Sequence, residues 1–476
     1  MHGIDYAIIA VFMIFVFGGG LFLGRGVQNV KGYFNADRSL PWWAVMLSIV
    51  AAETSVLTFL SIPGLSYLGN FSFLQVTIGY LFGRTVIAIY FLPMYAQGNF
   101  ISVYEAVREK GGITMQRVMS ITFMFTRLLA DGVRLFAVAI PLSMIAGFDY
   151  MTSIWILGIV SIFYTWFGGI RSVVWMDVAQ WMIYITAAVV ALGIGLHYTP
   201  NLSAVFSHAW EAGKFQVFDI SLKSTNYTLL SGLLGGALLS MASHGTDQLI
   251  VLRILSCKTL SDSRKALVGS GFVVILQFAL FLVIGAMLWL FWNGQDLTAL
   301  NLTKPDELFT KFIIEKLPPV VKGITVAGIF AAAMSTLSGS LSALSSSTTI
   351  DIIKPLLKKE LSEAKFLKIG RMATLFWGIV IVGGASLFTD MKTPLVELGL
   401  AIASFTYGAM LGIFLLVRFY KKVPVWQYVV TFFSTILVMV FVISQTTIHW
   451  TWYTLIGVIS AFIIDIILSM VQLRKE

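Results

Sequence analysis

One stretch of the sequence, residues 328–351, restricts the fold more than any other. It reads GIFAAAMSTLSGSLSALSSSTTID and is long enough to cross a bilayer, yet Ala, Ser, Thr and Gly dominate it. Ala332, Ser335, Thr336 and Gly339 are spaced i, i+3, i+4 and i+7, so they share one helical face. The stretch predicts a helix enclosed by protein. Its hydroxyl face is either a packing seam between close backbones or an ion site built from uncharged oxygen donors.

The composition is that of a polytopic membrane protein. Of 476 residues, 58% are hydrophobic and only 12% are charged, and that charged fraction is about half the average of soluble chains. The single cysteine excludes a disulfide framework, and five scattered histidines lack metal-ligand spacing. No nucleophile–base pair stands at membrane depth either, so we expect that the protein is not an enzyme.

Runs of about 20 apolar residues predict an all-α fold with about 13 transmembrane helices. The approximate limits of these spans are 5–24, 42–66, 72–97, 114–146, 150–168, 173–196, 226–255, 266–293, 320–350, 366–389, 394–418, 424–444 and 450–471. With the N-terminus outside, the inside loops hold 22 Lys and Arg residues and the outside loops hold 7. This bias predicts an external N-terminus and a cytoplasmic C-terminus in the cell (inner) membrane. It also assigns the net charge of +9 to the cytoplasmic face rather than to a nucleic-acid surface.

An odd number of spans predicts one extra helix before an inverted-repeat core. The expected divisions are an extra helix and loop in 1–40, the two repeats in 41–200 and 201–420, and two final helices in 421–476. The first helix of each repeat is interrupted by polar residues, in LSIVAAETSVLTFLSIPG and in SGLLGGALLSMASHGTDQLIVLR. These interruptions predict discontinuous helices whose freed carbonyls line a cavity or bind an ion.

Four motifs, in this order, resemble the sodium:solute symporter family. They are SIVAAETSVLTFLSIPG (48–64), YTWFGGIRSVVWMDVAQ (164–180), MASHGTDQLIVLR (241–253) and IFAAAMSTLSGSLSALSS (329–346). Members of that family carry sugars, sialic acids, proline, vitamins and iodide, and this chain is similar to the sialic acid and sugar symporters. The resemblance implies the five-plus-five inverted-repeat fold of the leucine transporter.

The resemblance also implies a main sodium site between the broken first core helix and the eighth core helix, which here is residues 320–350. On matching positions the ligands of the sodium ion are the carbonyls of Ala51, Thr54 and Ala332 and the hydroxyls of Ser335 and Thr336. These five donors are uncharged oxygens, which suit a hard cation that must leave again in each cycle.

Sialic acid relatives carry a second sodium site, made by an Asp of the fifth core helix and by serines one turn further along the eighth. Asp177 and Ser338 are present here, but Gly339 stands where those relatives have a serine. A second sodium ion is therefore disfavoured, although Asp177 and Ser338 stay candidates for it. Asp177 would instead act on the main site through its charge, or pair with a cation such as Arg171.

Arg127, Asp131 and Arg134 lie at i, i+4 and i+7 on one helical face. Arg134 matches the position that holds the substrate carboxylate in sialic acid relatives, and a planar guanidinium suits that task. The alternative is that Asp131 or Glu53 uses Arg134 fully, so the roles of these groups as pairs or ligands stay open. The other substrate-binding candidates are Ser55, Thr58, Gln75, Ser243, Asp247 and Gln248, followed by His244, Gln277 and Tyr407. Arg84 is expected to pair with a buried acid such as Glu397.

The sequence thus predicts a symporter that imports a small polar organic solute by alternating access, with the sodium ion as its coupling ion and the lipid bilayer as its surroundings. A sugar, a sialic acid or another sugar acid fits best. Proton coupling through Glu53, Asp131 or Asp177, or an amino-acid or organic-acid substrate, remains an alternative. A solute sensor that binds without transport is disfavoured because the chain ends just after its last span. The oligomeric state is not indicated.

Overall fold

The computed structural model describes nine segments, separated by short gaps. They are residues 1–25, 27–98, 100–146, 149–199, 201–221, 227–357, 361–385, 395–420 and 422–473. Within these segments the structure is helical and contains no β-strand, apart from an isolated bridge between Leu40 and Cys257. The predicted all-α fold is confirmed.

In the first half of the chain the helices are α1 (Gly3–Leu23), α2 (Val30–Asn35), α3 (Trp42–Glu53), α4 (Val56–Leu68), α5 (Leu74–Tyr90), α6 (Leu92–Gly98), α7 (Glu105–Ala146), α8 (Tyr150–Tyr198) and α9 (Leu202–Glu211). In the second half they are α10 (Gly236–Gly245), α11 (Gln248–Ile254), α12 (Leu260–Phe291), α13 (Glu307–Lys316), α14 (Val321–Ser347), α15 (Glu363–Ala385), α16 (Leu395–Phe419), α17 (Val425–Gln445) and α18 (Tyr453–Leu473). Short π-helical turns precede α10, at Ser231–Gly235, and follow α14, at Thr348–Ile353.

Helix length and hydropathy support a protein with many membrane spans. In the described part of the chain, eight helices are long and apolar enough to cross a bilayer, and two bent pairs raise that number to as many as ten. α8 has 49 residues, about 73 Å of helix, which far exceeds the ~30 Å hydrocarbon core. Gly169, with φ of +56°, breaks α8 in two, close to the predicted boundary between the fifth and sixth spans. The total of about 13 spans stays a prediction.

α14 is the helix around which the others pack. Every residue from Thr325 to Ser347 is buried, and α14 contacts α8, α1, α7 and α15. Its small residues permit this close packing, because a Cβ added at Gly328 would lie only 3.1 Å from the Cα of Tyr184 on α8. The small-residue stretch is therefore enclosed by protein, as its sequence predicts.

Both helices predicted to be discontinuous are broken. α3 and α4 form one predicted span and are bent by 61° at Thr54. α10 and α11 form another, separated by Thr246 and Asp247. Each new helix begins at a capping side chain: Ser55 Oγ accepts the amide of Leu57 at 3.2 Å, and Asp247 caps α11 in the same manner. The boundaries of the two repeats, at 41–200 and 201–420, stay predictions.

Candidate functional site

At the first break the backbone leaves the helical conformation for two residues. Thr54 has φ −92° and ψ +86°, and Ser55 has ψ −173°. The last carbonyls of a helix lack the amide donor that a continuing helix would supply. Two of the predicted sodium ligands, the carbonyls of Ala51 and Thr54, belong to this end of α3, where the helical hydrogen bonding stops. Both residues are buried in the protein.

A chain of hydrogen bonds fixes the position of Thr54. Trp181 Nε1 donates to Gln277 Oε1 at 2.9 Å, and Gln277 Nε2 donates to the Tyr184 hydroxyl at 3.0 Å. That hydroxyl lies 2.9 Å from Thr54 Oγ1, which itself donates to the carbonyl of Val50. Gln277 was predicted as a substrate-binding candidate. Its side chain instead supports the first break through the Tyr184 hydroxyl.

The hydroxyl face of α14 lies opposite this break. Ser335 Oγ donates to Asp177 Oδ1 at 2.7 Å, and Thr336 Oγ1 lies 3.3 Å from the carbonyl of Ala332, a weak hydrogen bond. Thr336 and Ser55 line the same small cavity. The structure thus brings the break and the hydroxyls of α14 to one location.

Asp177, on α8, accepts hydrogen bonds from both α3 and α14 at this location. It is fully buried and accepts from Ser48 on α3 at 2.5 Å, one helical turn before Ala51, as well as from Ser335. Its cationic partner is Arg253 of α11, whose Nη2 is 2.9 Å from Asp177 Oδ2. The expectation of a cation such as Arg171 is therefore corrected. Ser338 Oγ donates to the carbonyl of Ser335 at 3.1 Å, within its own helix.

A larger cavity lies between the two breaks and contains about 760 Å³ of empty space, its open mouth included. The predicted substrate-binding residues that line it are Ser55, Thr58, Arg134, Ser243 and Asp247. Glu53, Arg127, His244 and Tyr407 line it too.

Two predicted substrate ligands, Gln75 and Gln248, do not line this cavity. The amide of Gln75 donates to the carbonyls of Ser72 and Tyr227 and accepts from the Asp219 amide. Gln248 donates to the Ile101 carbonyl at 2.9 Å and to Ser346 Oγ at 3.0 Å, and accepts from the Val103 amide. The prediction for Gln248 rested on its position beside a break, and that for Gln75 on its position at the start of the third predicted span, whereas both amides connect loops to helices. They are removed from the candidate set.

The charges at the cavity occur as ion pairs. Arg127 Nη2 is 2.7 Å from Asp247 Oδ2, which also accepts from the Tyr407 hydroxyl. Arg134 Nη1 is 2.9 Å from Asp131 Oδ1. These pairs answer part of the question left open by the sequence, because Asp131 rather than Glu53 is the partner of Arg134.

Glu53 forms a third pair, with Arg84, and lies 3.5 Å from His244 Nε2. The expected pairing of Arg84 with Glu397 is wrong, since Glu397 accepts from the Tyr227 hydroxyl. The sequence could not indicate this choice, because both acids are plausible partners until the helices are placed.

The two arginines at the cavity differ in accessibility. The Arg127 side chain is 4% exposed, whereas that of Arg134 is 18% exposed. Arg134 Nε and the opposite oxygen of Asp131, Oδ2, are buried without hydrogen-bond partners, and so are Arg127 Nε and Nη1. The two arginines therefore differ in exposure, because more of the Arg134 side chain is accessible at the cavity although Asp131 already engages Nη1.

Comparison with known proteins points to one family. The model of the sodium:solute symporter family matches residues 33–425. The sodium/sialic acid symporter NanT of Aliivibrio fischeri is 24% identical over 467 residues, which cover 97% of this chain and 92% of that protein. The human sodium/iodide cotransporter is 26% identical over 429 residues, or 87% of this chain, and this match spans 66% of its length.

Solved structures support the same fold. A sodium-coupled sialic acid symporter, in a substrate-bound outward-open state with a novel sodium site, has a TM-score of 0.89 at 23% identity, with 98% of this chain and 97% of that chain covered. The closed form of Mhp1, a nucleobase-cation-symport transporter with bromovinylhydantoin bound, has a TM-score of 0.54 at 14% identity, with 93% and 94% covered. Because both sequence identities are below 25%, these structural similarities support the fold alone.

Proposed function

The chain belongs to the sodium:solute symporter family, and from that premise we propose that it imports a small carboxylate-bearing solute, a sialic acid or another sugar acid. The chain is a multi-pass membrane protein and a sodium-coupled secondary symporter. Its placement in the cell (inner) membrane with the N-terminus outside is part of the proposal. The observation that carries the substrate class is the partly exposed side chain of Arg134, which lines the cavity and is paired with Asp131 through one nitrogen, Nη1.

Arg134 is proposed to hold the carboxylate of the solute. A guanidinium offers five N–H donors in a planar fork, and Asp131 takes Nη1 from one side. The remaining donors can bind a second carboxylate, and such charge-assisted bonds are strong in a site from which water is excluded. Arg127 is less suited to the role because Asp247 and Tyr407 surround it and its side chain is nearly buried.

The hydroxyls of the solute would meet the remaining polar groups of the cavity. Ser55 and Thr58 on α4 and Ser243 on α10 offer hydroxyls, and Asp247 offers an acceptor between them. Phe278 supplies an apolar wall. This mixture of a few polar groups on an apolar lining is typical of a small-molecule site.

The sodium ion is proposed to bind between the first break and α14. Its ligands would be the carbonyls of Ala51, Thr54 and Ala332 with the hydroxyls of Ser335 and Thr336. The Ser335 hydroxyl donates its hydrogen bond to Asp177, so the lone pairs of the Ser335 oxygen remain available to a cation. A cation there would hold the broken helix against the core and complete the wall of the cavity that Ser55 contributes.

Electrostatics links the two proposed sites. The three ion pairs make the formal charge of the solute cavity zero, so a carboxylate entering alone would leave it negative. A sodium ion supplies the balancing charge, and opposite charges ~10 Å apart attract by about 1.7 kcal/mol at an effective dielectric of ~20. Each ion would strengthen the binding of the other, which is the thermodynamic basis of symport.

Proton coupling is less well supported than sodium coupling. The three carboxylates that the sequence offered for it, Glu53, Asp131 and Asp177, are each engaged by an arginine. A proton carrier would have to break such a pair in every cycle, which is costly inside a membrane. Sodium-independent uptake that rises steeply at acid pH would reverse this choice.

The test of the substrate class uses purified protein in proteoliposomes with an inward sodium gradient. We expect uptake of N-acetylneuraminic acid and much weaker uptake of the neutral N-acetylmannosamine. Arg134→Gln should abolish uptake of the acid, while Arg264→Gln, which removes a guanidinium bound to the carbonyl of Ala88 outside the cavity lining, should not. Preferred uptake of the neutral sugar, or full activity of Arg134→Gln on the acid, would overturn the assignment.

A further inference from the structure

Arg253 lies at the junction of the two broken helices and the core. Its side chain is fully buried. Nε donates to Ser48 Oγ on α3 at 2.8 Å, Nη1 donates to the Leu249 carbonyl at 2.7 Å, and Nη2 donates to Asp177 on α8 at 2.9 Å. Because Asp177 also accepts from Ser335 on α14, a single ion pair ties four helices together.

The guanidinium of Arg253 rests against Gly339. A Cβ added to Gly339 would overlap Nη2 and lie 2.9 Å from Nη1 and 3.0 Å from Cζ. Such distances are too short for neighbouring heavy atoms, so a side chain at position 339 would require the guanidinium or the helix backbone to shift from its present position. The missing side chain of Gly339 is therefore what admits Arg253 to this position.

We propose that Arg253 is a tethered cation that takes the place of a second sodium ion beside Asp177, and that the chain consequently carries one sodium ion for each solute. This inference rests on the proposed function, because it concerns the stoichiometry of the same transport cycle. The oxygens available to a cation here are the Asp177 carboxylate and the hydroxyls around it. The guanidinium supplies the +1 charge that this buried carboxylate requires.

A tethered charge differs from a bound ion in one respect that matters for transport. A sodium ion that enters and leaves adds the energy of its gradient to each cycle, whereas Arg253 remains in the protein and adds none. The proposal therefore predicts a smaller maximal accumulation of solute than a two-sodium symporter reaches under the same gradient. It also accounts for the uncharged donors of the main site, where the exchangeable ion is expected.

The first experiment measures the initial influx of ²²Na⁺ and of labelled N-acetylneuraminic acid in the same proteoliposomes. The expected flux ratio in the wild type is one sodium ion per solute, and the sodium dependence of uptake should have a Hill coefficient near one. A reproducible ratio of two would overturn the inference and leave the proposed function intact. Solute uptake without any sodium influx would overturn the proposed function as well.

The second experiment exchanges the tethered cation for a free one. In Arg253→Met combined with Gly339→Ser, the guanidinium is removed and a hydroxyl is added beside Asp177. We expect the flux ratio to rise from one to two and the Hill coefficient to rise accordingly. Arg253→Lys keeps the tethered charge and should keep the ratio at one. Gly193→Ser, at a glycine on α8 with open space around it, is the matched control.

A double variant that is folded by size-exclusion chromatography and still carries one sodium ion per solute would refute the role of Arg253. If the double variant does not fold, the ratio of the wild type decides by itself, because a ratio of one supports the inference and a ratio of two excludes it.

Discussion

The two broken helices are interrupted by different chemistry. At the first break Thr54 and Ser55 contribute only carbonyls and hydroxyls, and Ser55 faces Thr336 of α14 across a small cavity that the Asp131–Arg134 pair also lines. At the second break Asp247 caps α11 and is held by Arg127 and Tyr407. An uncharged break can bind a cation and release it again, whereas a buried ion pair is costly to separate. The comparison suggests that the first break serves the coupling ion and that the second forms a fixed wall for the solute.

The largest expected effect comes from the charged break. Asp247→Ala would leave Arg127 without its main partner inside the membrane, at a cost of about 3–5 kcal/mol. We expect a large loss of folded protein, measured by the thermal melting of the detergent-solubilised variant. Asp247→Asn keeps a good N-cap but not the charge, so it should be nearly as unstable. If Asp247→Asn were as stable as the wild type, the N-cap of α11 would account for the stabilising role of Asp247, and the ion pair with Arg127 would not.

At the uncharged break, Ser335→Ala removes one of five proposed sodium ligands and the hydrogen bond to Asp177. If the contact of the Ser335 oxygen with the sodium ion is comparable in strength to a hydrogen bond with a charged group, about 1.5–3 kcal/mol, the sodium concentration for half-maximal uptake should rise by at least about tenfold. Ser404→Ala, which removes a buried hydroxyl bonded to the Leu400 carbonyl on α16, is the matched control. An unchanged sodium requirement in Ser335→Ala would contradict the assignment of the coupling ion to the first break.

A smaller effect is expected from the support of the first break. Tyr184→Phe removes the hydroxyl that links Gln277 to Thr54. The loss of a neutral hydrogen bond costs about 1 kcal/mol, so the half-maximal sodium concentration should rise about fivefold while the solute preference is retained. Tyr164→Phe removes a comparable hydroxyl on α8, bonded to the Met334 carbonyl of α14, and should not change the sodium requirement. Equal effects in both variants would assign the change to packing.

The smallest effect is expected at the cap of α4. Ser55→Gly removes the side chain that accepts the Leu57 amide, but glycine is itself tolerated as an N-cap and the cost is a few tenths of a kcal/mol. Thermal melting should shift by a degree or two. A shift as large as that of Asp247→Ala would remove the distinction between the two breaks.

The sequence predicted the fold well because its main signals are local. Apolar runs define helices, and small residues in 328–351 require an enclosed helix. Polar residues that interrupt an apolar run, such as Thr54 and Asp247, indicate a break inside a span. These features are properties of neighbouring residues, so they could be recognised before any helix was placed.

Side-chain pairing was harder to predict because it depends on which helices meet. Arg253 is one of the 22 Lys and Arg residues that the charge count places in the inside loops, yet it is buried against Asp177, which lies 76 residues away in sequence. Gln75 was assigned to the solute from its position at the start of the third predicted span, and Gln248 from its position beside a predicted break. The structure shows that each amide is occupied by loop backbone. Polarity alone does not distinguish a ligand from a structural bond.

The central claim is that a sodium ion binds between the first break and α14. The most direct test is the sodium-dependent thermal stabilisation of purified protein, compared between Thr336→Ala and Thr325→Ala. Both threonines are buried on α14 and donate to the carbonyl four residues earlier, but only Thr336 is a proposed ligand. A ligand that binds only the folded state stabilises it by RT ln(1 + c/Kd), where c is the ligand concentration, so the melting temperature rises with that concentration. We predict that sodium, relative to choline, stabilises the wild type and Thr325→Ala and fails to stabilise Thr336→Ala, whereas equal stabilisation of all three would contradict the account.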